Sequence, residues 1–240
     1  MRADQAVRGA DLFKQLTPAV VAACETFRDQ PLSLFPEEEA MVAQAVEERQ
    51  REFSTARYCA REALAQLGVR PVPILPGPRG EPRWPTGIVG SMTHCAGYRA
   101  AAVAHADDVL ALGIDAEPHG PLPEGVLEAV SLPRERRRLT GLVAGWPGIC
   151  WDRLLFSAKE SVYKAWFPLA RRPLEFEDAD ITLDPRTMTF RAELLLPGPV
   201  SAGARITAFS GRWLARDGMV ATAITVLRDT RPEAQRRLAR

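Results

Sequence analysis

Lysine is almost missing from this chain: of its 31 basic residues, only Lys14, Lys159 and Lys164 are lysines and the rest are arginine. Paired cysteines are missing too. Cys24, Cys59, Cys95 and Cys150 stand far apart, and the absence of any CxxC spacing excludes a zinc knuckle or a redox dithiol. They read as buried or free thiols of a reducing cytoplasm, the expected location. No run approaches the ~20 apolar residues of a membrane span, and the opening MRADQAVRGADLFKQL holds no stretch of signal-peptide length. Neither sign of charge is in excess. With 31 Lys+Arg against 30 Asp+Glu the net charge is +1, so no overall field draws the protein to nucleic acid or an anionic membrane. Both are excluded as partners, while a local basic pocket is not.

What is present is an ordinary globular composition, 46% apolar and 25% charged over 240 residues, enough to bury a sizeable core. Residues 8–28 carry apolar positions at Leu12, Leu16, Val20, Ala23 and Phe27 at helical spacing, broken at Thr17-Pro18, and read as a loop-helix entry. Pro36 followed by three glutamates suits a helix N-terminus. STARYCAREALAQLG predicts a helix with Ser54 as its N-cap and Gly68 as its stop. The proline-rich stretch 71–87 excludes regular helix. Short β-type runs follow: GIVGSMTH, YRAAAVAH and VLALGIDAE, the last two joined by ADD as a predicted hairpin. Residues 124–139 and 151–167 read as helical, and ARITAFSGRW and MVATAITVLRD form a second predicted hairpin around LARDG. Helices precede a hairpin in both halves, with strands in adjacent pairs, which favours an α+β fold over a doubly wound sheet.

Three stretches carry possible chemistry. In VLALGIDAEP, alternation puts Leu110, Leu112, Ile114 and Ala116 on one face and Ala111, Gly113, Asp115 and Glu117 on the other. Two carboxylates facing one way repel unless a cation or proton lies between them. A hard divalent ion answers that repulsion, or the pair is simply a solvated strand end. In FSAKESVYKAW, Glu160 and Lys164 are four apart and share a helix face, while Lys159 points elsewhere. They form either a routine salt bridge or a third carboxylate and a cation facing the Asp115-Glu117 pair. In GSMTHCAGY, Ser91 and Thr93 share a strand face and His94 points to the other, or joins them if the strand bends. Hydroxyls and an imidazole suit phosphate. His105 and His119 are assigned no role.

Taken in order, GSMTHC, GIDAEP and FSAKESVYKAW resemble the motifs of the Sfp-type 4′-phosphopantetheinyl transferase family, with 21 residues from His94 to Asp115 and 45 from Asp115 to Glu160. The likeness covers roughly residues 45–215, includes the LPGPRGEPRWP loop and the STARYCAREAL helix, and is nearest the bacterial subgroup serving large synthases. It implies an α+β pseudo-dimer of two similar α/β halves, each a small, mostly antiparallel sheet on helices, divided as residues 1–112 and 113–240. Coenzyme A would lie between them. The implied reaction moves the phosphopantetheine arm of coenzyme A to a serine of an apo acyl or peptidyl carrier protein of fatty-acid, polyketide or nonribosomal-peptide synthases, releasing adenosine 3′,5′-bisphosphate, with the enzyme a monomer.

By the same resemblance, Asp115, Glu117 and Glu160 would bind Mg²⁺ with the diphosphate. Glu160 would be the base for the carrier serine, and Lys159 and Lys164 would meet the phosphates. His94, Arg49 and Arg57 would hold the 3′-phosphate, helped by Ser91 or Thr93, and Gly77, Arg79 and Gly80 would border the adenine. Pro76 departs from the pattern, since many relatives carry a basic residue there. A glutamate beside a metal and Lys164 is expected below its usual pKa of ~4.3, hence a feeble base. Arg134, Arg136, Arg137 and Arg138 of PRERRRL are the expected patch for an acidic carrier protein. The rival reading is a Mg²⁺-dependent nuclease using the same D-x-E and lysine.

Overall fold

The computed structural model describes residues 11–31, 33–201 and 203–228. Residues 8–10 of the first predicted helix and Asp229 of the last predicted strand lie outside them. Helix α1 (Leu12–Leu16) and strand β1 (Ala22–Thr26) replace the single helical entry expected there. Helix α2 (Pro36–Val42) starts at its proline with three glutamates in the first turn, as anticipated. Helix α3 spans Glu47–Gln66, so Ser54 is a buried interior residue and not an N-cap. Glu47 and Glu48 supply the acidic first turn instead, and buried Phe53 carries the apolar stripe back past Ser54. Gly68 adopts φ +73 just past the end, the left-handed stop that glycine provides.

Strands β2 (Ile88–Cys95) and β3 (Tyr98–His105) form an antiparallel hairpin, and β1 pairs with the other edge of β3. Strand β4 (Val109–Pro118) therefore makes no hairpin with β3, whose two edges are both taken. The 106–108 turn instead hands the chain to a second sheet. There β4 pairs with β10 (Met219–Leu227) in the order β4-β10-β9-β6-β5, with β5 at Ala179–Asp184, β6 at Thr189–Leu194 and β9 at Ala208–Arg216. Between β4 and β5 come α4 (Val126–Val130), α5 (Pro133–Gly145) and α6 (Trp151–Ala170). A two-stranded ribbon, β7 (Val200–Ser201) with β8 (Ala204–Arg205), sits between β6 and β9. The predicted C-terminal hairpin is β9-β10, with a turn of only Asp217-Gly218, both at positive φ, as a tight two-residue turn requires. The β5-β6 hairpin went unpredicted, although Ala179, Ile181 and Leu183 alternate with less buried residues.

Two antiparallel sheets thus lie face to face between helices. Ala101 and Val103 of β3 pack on Cys59, Ala60, Ala63 and Leu64 of α3. The opposite face of β3, with Ala100, Ala102 and Ala104, packs on Leu112, Ile114 and Ala116 of β4. The reverse face of the second sheet packs on Leu154, Ala158, Val162 and Ala165 of α6. The alternation predicted for β4 holds from Ala111 to Ala116, but both faces are covered. Because β4 belongs wholly to the second sheet, a division at 112/113 cuts a strand; the sheets separate at the 106–108 turn.

The α+β pseudo-dimer shows in one repeated device. Phe35-Pro36-x-Glu38 opens α2 and Leu132-Pro133-x-Glu135 opens α5. Glu38 is fully buried; Oε2 accepts from Phe35 N at 3.0 Å and Oε1 from Ile74 N at 2.8 Å, and Arg61 pairs with the carboxylate at 2.9 Å. Glu135, 1% exposed, does the same with Leu132 N at 2.7 Å, Ile181 N at 2.6 Å and Lys159 at 2.9 Å. In each half a buried acid joins a short helix, the long helix after it and the chain beyond.

Gly113 sets the distance between β4 and α6: a Cβ there would lie 2.1 Å from Ser161 O and 2.8 Å from Ala165 N. Both are backbone atoms, so Gly113→Ala is expected to lower unfolding free energy by about 2–3 kcal/mol in urea denaturation. An unchanged midpoint and slope would show that the helix is free to withdraw.

Candidate functional site

A cleft of about 1040 Å³ opens between the two halves. From the first half, α3 presents Arg49 and Arg57, and β2 presents Ser91 and His94. From the second, α6 presents Glu160 and Lys164. Residues 45 apart in sequence meet here: Arg49 Nη1 lies 3.1 Å from His94 Nε2, and Glu52 is 3.5 Å from Arg49 and 3.8 Å from His94. His94 does point away from Ser91 and Thr93, as alternation predicts. Burial holds its pKa below the ordinary histidine value, helped by Arg49, Lys164 and Arg99 and opposed by Glu52.

Arg57 is buried, with Nε donating to Ile74 O at 3.2 Å and its guanidinium stacked 3.2 Å over the Phe53 ring. Among the described residues no carboxylate lies within ion-pair distance of it, and burial pulls its pKa down to about 10. A buried cation lacking an acid, on a cleft wall, is an anion site in waiting. Arg79 and Gly80 border the cleft, but Gly77 does not. Gly77 N donates to Glu81 O at 2.6 Å and so closes the turn, while Gly80 supplies its left-handed residue at φ +83. Arg83 and Trp84 also line this wall and were not foreseen. Arg83 is the loop's second basic residue, and the Pro76–Pro82 bridge beside it closes the loop.

Ser91 and Thr93 share a face, yet that face stitches the halves together. Ser91 Oγ accepts from Ile114 N at 3.1 Å, and Thr93 Oγ1 accepts from Ala116 N at 3.3 Å while donating to Asp115 Oδ1 at 3.0 Å. Their hydroxyls stand in for a ladder along the edge of β4 not taken by β10. Thr93 is thereby withdrawn from phosphate contact; Ser91 borders the cleft with its O–H still free to donate.

Asp115, 3% exposed, stands behind Lys164. Lys164 Nζ donates to Asp115 Oδ1 at 2.7 Å and to Ile114 O at 3.1 Å. Asp115 Oδ2 is buried and has no hydrogen-bond partner among the described residues. Glu117 pairs with Arg153 at 3.1 Å, and its pKa is pushed up to about 7 by burial and then by Asp115, against the pull of Arg153 and Lys164. Glu160 is also raised, by burial first and Asp115 second, with Lys164 opposing. The low pKa expected from sequence is for a glutamate beside a metal as well as Lys164; in the protein alone desolvation outweighs the lysine. Asp115 interacts electrostatically with both other acids, but among the described residues no three Asp, Glu, His or Cys side chains are already gathered to hold a metal.

Two expectations are corrected. Lys159 does not reach the cleft phosphates: 3% exposed, its Nζ donates to Phe176 O at 2.6 Å and Ala179 O at 2.5 Å and pairs with Glu135 at 2.9 Å. The PRERRRL arginines are mostly engaged as well. Arg134 and Arg138 both clasp Asp180, and Arg136 donates to Ser131 O at 2.7 Å. Among the described residues Arg137 makes no such contact and is exposed. His119, assigned no role, accepts from Cys150 N at 3.1 Å. All four cysteines are free, and no described helix is long and apolar enough to cross a membrane.

Arginines and an imidazole on one wall, with Lys164 and Glu160 on the other, define a protein that takes a polyanionic ligand between paired α+β halves; Asp115 and Glu117 stand behind that second wall and do not line the cleft. Residues 37–104 match the 4′-phosphopantetheinyl transferase N-terminal domain and residues 111–209 the 4′-phosphopantetheinyl transferase superfamily. The chain is 60% identical over 199 residues to 4′-phosphopantetheinyl transferase Svp of Streptomyces mobaraensis, covering 82% of this chain and 81% of that one. It is 48% identical to PptT of Mycobacterium tuberculosis over 90% of this chain and 98% of the relative, and 49% identical to Npt of Nocardia iowensis over 89% and 99%. The chain belongs to the 4′-phosphopantetheinyl transferase superfamily. It is a transferase that activates carrier proteins, and the nuclease reading is set aside.

The buried Lys159–Glu135 pair yields a prediction. Lys159→Met leaves Glu135 charged and unpaired, costing about 3–5 kcal/mol in chemical denaturation, and Glu135→Gln added to it recovers part of the loss. Were Lys159→Met as stable as the parent but weak in coenzyme A binding, Lys159 would be a phosphate ligand after all.

Proposed function

We propose that the cleft binds coenzyme A with its 3′-phosphate against Arg49, Arg57 and His94 and its diphosphate near Lys164. Arg79, Gly80 and the newly recognised Arg83 border the adenosine end. A second cavity of about 200 Å³, bordered by Lys159, Glu160, Tyr163, Leu174 and Phe176, meets the main cleft at Glu160. Its apolar lining suits the pantetheine arm, which continues from the diphosphate past Glu160. Lys159 then serves by its stem, its ammonium being held away by Glu135.

Asp115, Glu117 and Glu160 would hold Mg²⁺, and the observation carrying this reading is the orphaned Asp115 Oδ2. A buried carboxylate oxygen with no donor is costly, and two further carboxylates nearby are held above their ordinary pKa by burial and mutual repulsion. Such a hard-oxygen set fits a divalent ion that also takes ligand phosphate oxygens, so a closed protein cage is unnecessary. When bound, the ion supplies charge neutralisation of the diphosphate in in-line displacement. Lys164, held by Asp115 and Ile114 O, places a fixed positive charge for the oxygen that departs. Glu160 would both hold the cation and take the proton of a carrier serine; its upward shift by burial belongs to the cation-free protein, and a bound cation pulls it down again. The hydroxyl oxygen of that serine forms a bond to the β-phosphorus of coenzyme A, and the bond from that phosphorus to the bridging oxygen breaks, releasing adenosine 3′,5′-bisphosphate. The carrier approaches α5, where Arg137 is exposed.

The test is intact-mass spectrometry of apo acyl and peptidyl carrier proteins incubated with coenzyme A and Mg²⁺. Addition of one phosphopantetheine is expected, with Asp115→Asn about 100-fold slower; an active Asp115→Asn would remove the metal reading. His94 supplies a pH signature. Its pKa in the free protein lies below the ordinary histidine value, lowered first by desolvation at the cleft wall although the side chain is 44% exposed, and a dianionic 3′-phosphate draws it upward. Binding therefore takes up protons, and affinity rises as pH falls toward the free-state pKa of His94. Glu52 and Arg49 of α3, Arg99 of β3 and Lys164 of α6 are the charges that set this pKa. Calorimetry near pH 7 in two buffers of unlike ionisation heat should show less uptake for His94→Gln, and with dephospho-coenzyme A, than for the parent, since Glu117 and Glu160 beside the diphosphate also exchange protons in that range. Equal uptake by all three would place the phosphate elsewhere.

A further inference from the structure

Besides Lys164, helix α6 carries a second basic residue that meets the D-x-E pair, Arg153, seven positions before Glu160 and eleven before Lys164, and so on the same helix face. Helix and β4 run past one another so that each carboxylate of the D-x-E pair meets one of these cations: Asp115 meets Lys164 at 2.7 Å and Glu117 meets Arg153 at 3.1 Å. The rest of the Arg153 fork is committed to backbone. Nε donates to Gly120 O at 3.1 Å and Nη2 to Pro121 O at 2.7 Å. Three donors on three separate acceptors, the group being only partly exposed, hold a guanidinium far more firmly than a single surface pair would. Arg153 takes Glu117 by Oε2 alone, and no hydrogen bond among the described residues reaches Oε1.

We infer that Arg153 is a positioning residue for the cation site, holding the Glu117 carboxylate by one oxygen and the 118–121 segment beside it while leaving the other oxygen to the metal. The inference rests on the reading of Asp115, Glu117 and Glu160 as metal ligands. An arginine would otherwise be an odd neighbour for a cation. Here the guanidinium offsets repulsion between Glu117 and Asp115, and its backbone bonds keep it from following Glu117 toward the metal. The partner that fixes a liganding carboxylate shapes affinity almost as strongly as the ligand itself, about 10-fold or more on removal.

The experiment is Mn²⁺ titration of the full chain followed by electron paramagnetic resonance, with coenzyme A present and no carrier protein, so that no turnover occurs. Arg153→Met is expected to weaken Mn²⁺ binding about tenfold, with Arg153→Lys restoring only part because it lacks the fork. Coenzyme A affinity without metal should stay at the parental value. Arg153→Gln, which keeps a donor for Gly120 O, replaces the methionine variant if that fails to fold. If Asp115→Asn weakens Mn²⁺ binding while the Arg153 variants bind as tightly as the parent or tighter, Arg153 has no positioning role and the metal site stands. If Asp115→Asn has no effect either, the metal reading and this inference fall together. A purely structural Arg153 would lower the melting temperature and leave the Mn²⁺ curve in place.

Discussion

One carboxylate oxygen, Asp115 Oδ1, receives a hydroxyl from the first half of the molecule and an ammonium from the second. Thr93 comes from β2 and Lys164 from α6, so the oxygen can be satisfied only when both halves are in place. Ser91 and Thr93 extend the tie by accepting the Ile114 and Ala116 amides along the edge of β4 that β10 leaves unpaired. An open edge would otherwise be a hazard. Here it is the seam that aligns the two cleft walls, and the alanines of β3 and the bare Gly113 bring the layers close on either side of it.

Desolvation governs the chemistry as much as charge does. Glu117 and Glu160 are raised although arginine or lysine stands close, because withdrawal from water penalises their ionised forms more than those cations favour them. Arg57 is lowered by the same cause with no acid in ion-pair range to oppose it. Both walls hold frustrated charge, anionic on one side and cationic on the other. A ligand bearing phosphates at two separated points, together with a cation, relieves both.

Much of this was readable from local pattern. The alternation in VLALGIDAEP placed Asp115 and Glu117 on one face, and the helical spacing of Glu160 and Lys164 put them on one side of α6. His94 opposite Ser91 and Thr93 also followed from a two-residue period. What local pattern missed was direction in space. Lys159 precedes the site glutamate by one residue, and only the placement of Glu135, Phe176 and Ala179 shows that it turns away. Arg153 carried a signal in its seven-residue offset from Glu160, but nothing nearby in sequence marked Glu117 as its partner. The β3-β4 hairpin was misread because two strands joined by a short turn normally pair, and β1, far upstream, had already taken the free edge of β3.

By itself the sequence determined the long helices, the β2, β3, β4, β9 and β10 strands, the side-chain faces and the order of three motifs whose family is confirmed by its relatives, since these depend on period and spacing along the chain. The tertiary structure alone decided which groups share the cleft, which serines and threonines are spent on the seam, and which lysine is structural. It also decided the direction of each pKa shift. Those outcomes depend on burial and on partners tens of residues away, and neither quantity is carried by neighbouring letters.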